Sequence, residues 1–141
     1  MREILFRGKT LTNRWVEGAY YKQEYFYGDK EDAHIIITSK ENLTYDQGLD
    51  FCIVIPETVG QFTGLTDKNG TKIFEGDILQ FDYIGKNLGV NGKAAVVFEN
   101  AKFGVKWGWR KEFVCLDGFV NTTLEIIGNI HDNPDSLKEV Y

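Results

Sequence analysis

The stretch that decides the fold is VGQFTGLTDKNGTKIFEGDI, residues 59–78. Short apolar segments alternate with glycine in it, a pattern typical of strands joined by tight turns. Asn69-Gly70 predicts a hairpin turn, because this pair readily adopts positive φ angles. Asp77 follows Gly76 at the start of the next strand, where its carboxylate can accept backbone N–H bonds, as in Asx turns.

The same pattern continues on both sides of this stretch. Leu79, Phe81 and Tyr83 alternate with polar residues, as in a half-buried strand. Further strands are predicted within 33–38, 49–55, 94–99, 103–109, 112–116 and 122–127, whereas glycine and asparagine predict a loop over 85–93. Asn133-Pro134 can cap a short C-terminal helix ending at Val140. The chain is therefore expected to be mainly β.

Composition excludes several classes of protein. The 141 residues carry 16 Lys and Arg against 21 Asp and Glu, a net charge of −5. This acidic balance disfavours a general nucleic-acid binder, which needs a basic field. The 43% apolar content excludes a disordered chain. Aromatic residues reach 14%, which favours a sheet-rich domain with aromatic side chains in its core or at an interface.

No targeting or membrane signal is visible in the sequence. Arg7 and Lys9 interrupt the first apolar residues, so no signal-peptide core forms. No run approaches the ~18 apolar residues that a membrane helix needs. We therefore expect a cytoplasmic protein without membrane contact, in which Cys52 and Cys115 are buried, reduced thiols.

One segment combines cations with aromatic side chains. In a strand over 103–109, Phe103, Val105 and Trp107 share one face, and Lys106 lies on the other. Aromatic and basic groups together can stack bases and hold phosphates, but here alternation separates them, which favours a core face backed by a solvated face. The candidate binding surface comprises Lys102, Lys106, Trp107, Trp109, Arg110 and Lys111.

Catalytic and metal-binding patterns are missing from the sequence. His34 and His131 have no third ligand at a zinc-site spacing, and counting from Asp67 places Lys72 and Ile78 where a calcium loop needs Gly and Glu. Phosphate-loop and Ser-His-Asp patterns are absent as well. We expect no catalytic residue, no metal and no cofactor, and hence no enzyme.

Three segments resemble the YopX family of bacteriophage and prophage proteins: residues 2–9, 56–78 and 124–134. Their order follows the family order, and they span nearly the whole chain. The motif residues are turn and strand-entry residues, for which a structural role is expected: the glycines adopt positive φ angles, Asn69 forms the turn and Asp77 makes local hydrogen bonds. They are Gly64, Asp67, Asn69, Gly70, Glu75, Gly76, Asp77, Gly128, Asn133 and Pro134.

The resemblance implies a phage or prophage origin, a bacterial cytoplasm and a C-terminal half that looks like an SH3-like barrel. It supplies no activity and no ligand residue. The expected organisation is an N-terminal β subdomain over 1–60 packed against a barrel with a short C-terminal helix over 61–141.

Three function hypotheses follow, from different classes of protein. The leading one is a non-enzymatic accessory protein that binds another protein or itself, because aromatic residues are abundant and catalytic patterns are missing. The alternative is a small β-barrel that binds nucleic acid through the 102–111 segment. The third is an enzyme, which would need a pocket that gathers residues such as His34, Asp77 and His131.

Overall fold

The computed structural model describes residues 2–24, 31–38, 50–84, 89–107, 111–119 and 124–137. They form eleven strands: β1 (Phe6–Lys9), β2 (Trp15–Gln23), β3 (Ala33–Ile37), β4 (Phe51–Ile53), β5 (Gly60–Thr66), β6 (Lys72–Phe74), β7 (Asp77–Ile84), β8 (Gly89–Glu99), β9 (Lys102–Trp107), β10 (Glu112–Cys115) and β11 (Glu125–Asn129). Three single 3-10 turns cover Pro56–Thr58, Leu116–Gly118 and Pro134–Leu137. The prediction of a mainly β chain is confirmed.

The described strands form two open antiparallel sheets. The first has the order β4-β3-β2-β1-β5-β6, and the second has the order β10-β9-β8-β7-β11. The chain divides into two compact units, residues 1–62 (unit 1) and 63–141 (unit 2), and β5 runs through the division. No closed barrel is present among the described strands, so the SH3-like barrel stays a prediction.

Unit 1 is built on the meander from β1 to β4. Ile36 and Val54 are almost completely buried on one face of this sheet. A Cβ at Gly8 would lie only 2.9 Å from the Val54 side chain, so glycine permits this close contact. Val54 also forms an isolated β-bridge with Thr10, the residue after β1, and Ile55 N donates a hydrogen bond to Lys9 O at 2.8 Å.

The 3-10 turn after β4 is tied to β1 by one threonine. The buried Thr58 Oγ1 accepts a hydrogen bond from Lys9 N at 2.9 Å and donates one to Ile55 O at 2.6 Å. Both polar functions of this hydroxyl are satisfied, so its burial carries no unpaired-group penalty.

Unit 2 has its core between the five-stranded sheet and the residues that follow β10. The buried side chains of this core are Ile73, Leu79, Phe81, Ala94, Val96, Val105, Leu116 and Phe119. Their alternation along β7, β8 and β9 agrees with the period-two pattern of the sequence. Phe81 is central, because its ring contacts those of both Trp107 and Phe119.

The β5–β6 turn differs from the predicted turn in its backbone geometry. All four glycines for which the sequence predicts positive φ have it, namely Gly64, Gly70, Gly76 and Gly128. The predicted hairpin turn between β5 and β6 is present, but Asn69 does not have the positive φ that an Asn-Gly turn readily adopts. The turn is organised by Asp67 instead, whose carbonyl oxygen accepts the Gly70 N–H at 3.0 Å.

The Asp67 carboxylate joins this turn to β11. Oδ1 accepts hydrogen bonds from Asn69 N and Thr71 N at 2.9 and 3.0 Å, and Oδ2 accepts one from Ile126 N at 3.1 Å. Burial alone would raise the pKa of this carboxyl group. The three backbone N–H bonds, that of Ile126 first, outweigh burial, and the Asp67 pKa lies below its usual range.

A second aspartate organises the turn between β6 and β7. Asp77 is buried, and its Oδ2 accepts a hydrogen bond from Phe74 N at 2.8 Å. Gly76 lies between them, donates its N–H to Val96 O and accepts the N–H of Ile130, both at 2.9 Å. This turn therefore links β8 to the end of β11.

Two sequence predictions need correction in unit 2. Residues 89–93 belong to β8 instead of a loop, because their backbone pairs with β7 from Gln80 to Ile84. The expected helix after Asn133 is a single 3-10 turn at Pro134–Leu137, and residues 138–140 lie outside the described part. The Asn133 side chain is directed back to β11, where its Oδ1 accepts the Asn129 N–H at 3.2 Å.

We expect Asp67→Asn to lower the free energy of unfolding by about 1–3 kcal/mol at pH 7. The carboxylate accepts N–H bonds from the turn with one oxygen and from Ile126 with the other, whereas an amide has only one acceptor oxygen. Since the folded-state pKa of Asp67 is depressed, its stabilisation is present above the unfolded-state pKa of about 3.9 and is lost as pH falls through the folded-state value. Urea denaturation between pH 7 and pH 2.5 measures this: the difference between wild type and variant should stay constant to about pH 5 and then shrink.

Asp82→Asn is the matched control, because Asp82 is exposed. It should leave stability nearly unchanged at pH 7. Equal stabilities of the Asp67 and Asp82 variants would contradict the assigned role of Asp67.

Candidate functional site

The predicted basic and aromatic surface is only partly assembled in the described residues. Lys102, Lys106 and Lys111 are exposed in unit 2, the last at the turn between β9 and β10 with a φ of 52°. Trp107 is half-buried at the end of β9. Trp109 and Arg110 lie outside the described residues. The side chains of Lys106 and Trp107 therefore point to opposite faces of β9, as the alternation along the strand predicts.

Trp107 belongs to the edge of the unit 2 core. Its ring meets Phe81 edge-on at a centroid distance of 5.3 Å, an arrangement that aromatic pairs prefer. A Cβ at Gly92 would lie 2.5 Å from Trp107 Nε1. Gly92 is therefore the residue over which the indole lies, and glycine within a strand often marks such a close approach.

A cleft of about 300 Å³ opens beside Trp107 in unit 2. Its apolar wall includes Ala95 and Val97 of β8 together with Leu137 of the last 3-10 turn. Lys93, Lys106 and Lys111 supply its cations, and the described lining residues include no carboxylate. We name this site the lysine cleft. Its volume is at the lower end of the range for small-molecule sites.

Unit 1 presents a different surface on its sheet. Tyr21, Ile35 and Ile53 form one cross-strand row, and Ala19, Ile37 and Phe51 form the next. Directly opposed residues point to the same face, so these six side chains form one surface, which we call the outer face. Tyr21 is 54% exposed, Phe51 49% and Ile53 39%. Adjacent large apolar side chains with this exposure are typical of interaction sites.

The outer face continues towards β1 with cations on an aromatic ring. Lys9 pairs with Trp15 across β1 and β2, and Arg7 pairs with Glu17. The Arg7 guanidinium lies 4.8 Å from the Trp15 ring centroid, and Lys9 Nζ lies 5.9 Å from it. Sequence reasoning missed this cluster and the outer face, since both depend on the pairing register between strands, which the alternation along a single strand does not specify.

The catalytic candidates remain separate from the lysine cleft. His34 is in unit 1, where Nδ1 lies 2.5 Å from the Tyr20 hydroxyl. Asp77 and His131 are in unit 2, and neither lines the lysine cleft. Among the described residues, no three His, Cys, Asp or Glu side chains group as metal ligands.

The two cysteines are not fully buried, contrary to the sequence prediction. Both are reduced and half-buried. Cys115 lies in a strand with Sγ 3.6 Å from Phe103 O, and Cys52 has the Arg14 guanidinium 3.8 Å from its Sγ at a partly open sheet surface. No helix in the described ranges is long and apolar enough to cross a membrane.

The two units form a small antiparallel β protein. Three motif side chains, those of Asp67, Asp77 and Asn133, accept hydrogen bonds from backbone N–H groups. The family model for "YopX protein" matches residues 5–138. The chain therefore belongs to the YopX family.

A solved structure supports the fold. The crystal structure of protein EF1440 from Enterococcus faecalis matches with a TM-score of 0.58 and 24% sequence identity, over 98% of this chain and 100% of that one. At this identity the likeness concerns the fold alone. A search of curated proteins found no significant match.

The contact between Gly92 and Trp107 predicts the effect of one methyl group. Gly92→Ala should lower the free energy of unfolding by about 1–3 kcal/mol, because the new Cβ must displace either the indole or the Phe81 ring. Chemical denaturation measures the loss, and near-UV circular dichroism should report a changed aromatic environment. Lys93→Ala, on the exposed neighbouring residue, is the control and should do neither. A Gly92→Ala protein as stable as this control would contradict the packing described.

Proposed function

We propose that this YopX-family protein is a non-enzymatic accessory protein that binds a partner protein through the outer face of unit 1. The observation that carries the proposal is the joint exposure of Tyr21, Phe51 and Ile53 on adjacent cross-strand rows. Exposed aromatic side chains on a rigid sheet offer contact area at a low entropic cost and are enriched among energetically dominant interface residues.

The geometry of β4 supports this role for the outer face. Val54 N donates to His34 O and Thr38 N donates to Asp50 O, which places residues 50, 52 and 54 in hydrogen-bonded pairs with β3. Phe51 and Ile53 therefore form non-hydrogen-bonded pairs with Ile37 and Ile35, in which opposed side chains approach most closely. The apolar side chains support each other and present a preformed surface.

The cellular setting is part of the same proposal. We infer that the protein is a phage or prophage product that acts in the cytoplasm of a bacterial host, and that residues 61–141 form an SH3-like barrel. Support comes from the YopX resemblance of the motif segments and from the antiparallel order of β10, β9, β8, β7 and β11.

Nucleic-acid binding through residues 102–111 has weaker support. Trp107 packs on the core, and Lys106 faces away from it in an ion pair with Glu99 at 2.7 Å. The charge of −5 opposes approach to a phosphate backbone. Retention on a single-stranded oligonucleotide at low salt, declining steeply as salt rises, would favour this alternative over protein binding.

The partner test compares Phe51→Lys with Leu11→Lys. Both replace an exposed apolar residue of unit 1 and add one positive charge, but Leu11, 77% exposed, lies in the β1–β2 turn, off the outer face. The wild-type chain serves as bait in lysate from phage-infected or lysogenic cells, and a recovered partner is purified and titrated by calorimetry. Phe51→Lys should weaken binding at least about tenfold, whereas Leu11→Lys should leave it unchanged.

Light scattering of the purified chain separates a second copy from another protein as the partner. If the protein self-associates, Phe51→Lys should shift it to the monomer and Leu11→Lys should not. A monomeric wild type with no partner recovered, or equal effects of the two variants, would overturn the proposal. Thermal unfolding of both variants establishes that they remain folded.

A further inference from the structure

The lysine cleft of unit 2 combines positive charge with an apolar wall. Lys93 of β8, Lys106 of β9 and Lys111 of the following turn come from three successive parts of the sheet. Like charges that line one cleft repel each other, and a bound anion relieves this repulsion. The cleft therefore favours an anionic ligand although the chain as a whole is acidic.

One of the three lysines has an acidic neighbour that an incoming anion can replace. Lys106 Nζ lies 2.7 Å from Glu99 Oε1, with the side chains 49% and 36% exposed. An ion pair this open contributes little to stability, so its exchange for a ligand costs little. Glu99 is not among the described residues that line the cleft.

The remaining lining residues indicate what the anion is attached to. Ala95, Val97 and Leu137 form an apolar wall, and Trp107 of β9 also borders the cleft. A cleft of about 300 Å³ accommodates a body of one ring together with a charged group. Several lysine ammonium groups suit a phosphate monoester, which carries close to two negative charges at neutral pH, better than a carboxylate with one.

We propose that the lysine cleft binds a phosphate monoester that carries a flat or apolar body. Lys93, Lys106 and Lys111 hold the phosphate, while the apolar wall of Ala95, Val97 and Leu137 contacts the body. This site is distinct from the outer face and does not depend on the proposed protein-binding function. A free nucleotide and the phosphorylated end of a single strand share this ligand chemistry.

Three probes separate the contributions of phosphate and body. Phenyl phosphate carries both, inorganic phosphate carries the charge alone, and benzoate carries the ring with a carboxylate. Each is titrated into the ¹⁵N-labelled full-length protein at low salt, and the assigned backbone amide signals of Lys93, Ala95 and Lys106 are followed. Phenyl phosphate should shift these signals with a Kd of about 1 mM or below, and the other two should bind more weakly.

Matched lysine variants locate the site. Lys93→Gln and Lys111→Gln should each weaken phenyl phosphate binding by about two- to fivefold, as expected for an exposed charge pair. Lys102→Gln removes an exposed lysine of β9 that does not line the cleft, and binding should stay unchanged. Spectra of all variants without ligand establish that the fold is intact.

Several results would overturn the proposal. They are the absence of a shift of the Lys93, Ala95 and Lys106 amide signals at 10 mM phenyl phosphate, equal affinities for benzoate and phenyl phosphate, and an equal loss for Lys102→Gln and Lys93→Gln. A nucleoside monophosphate and a short 5′-phosphorylated single strand then distinguish the two sources. Tighter binding of the strand assigns the phosphate to nucleic acid, and equal binding assigns it to a free nucleotide; both support the site.

Discussion

The carboxylate of Asp67 is the constraint on which unit 2 depends. Its two oxygens accept backbone N–H bonds from Asn69 and Thr71 within the β5–β6 turn and from Ile126, which is 59 residues further along the chain. Charge-assisted bonds of this kind offset the cost of burying an anion. A local turn and a long-range strand contact therefore share one side chain, and neither can form its bonds fully without the other.

Strand glycines determine where the aromatic side chains of unit 2 lie. Trp107 packs over Gly92, and Phe113 packs over Gly104, where a Cβ would lie 2.6 Å from its ring. Because these glycines have no side chain, aromatic rings from neighbouring strands occupy the space beside their Cα atoms. These rings of unit 2 serve packing, whereas Phe98 of unit 2 and the rings of Tyr21 and Phe51 of unit 1 remain about half exposed.

The two surfaces differ in chemistry and lie in different units. The outer face of unit 1 is apolar and preformed by cross-strand packing, and the lysine cleft of unit 2 is small and cationic. The outer face offers apolar contact area and the lysine cleft offers positive charge, which is why each is proposed as a recognition site. The fold shared with EF1440 at 24% identity shows that this architecture tolerates extensive sequence change.

The sequence alone determined the β class, the positive φ of Gly64, Gly70, Gly76 and Gly128, and the separation of Lys106 from Trp107 across β9. These features follow from local backbone geometry and from period-two alternation. The tertiary structure alone decided that residues 89–93 extend β8, that Asp67 bonds to Ile126, and that Tyr21, Phe51 and Ile53 meet on one face. Each of these depends on which residues pair between two segments, in the β7–β8 hairpin as well as between segments far apart in sequence, and no local pattern specifies this pairing.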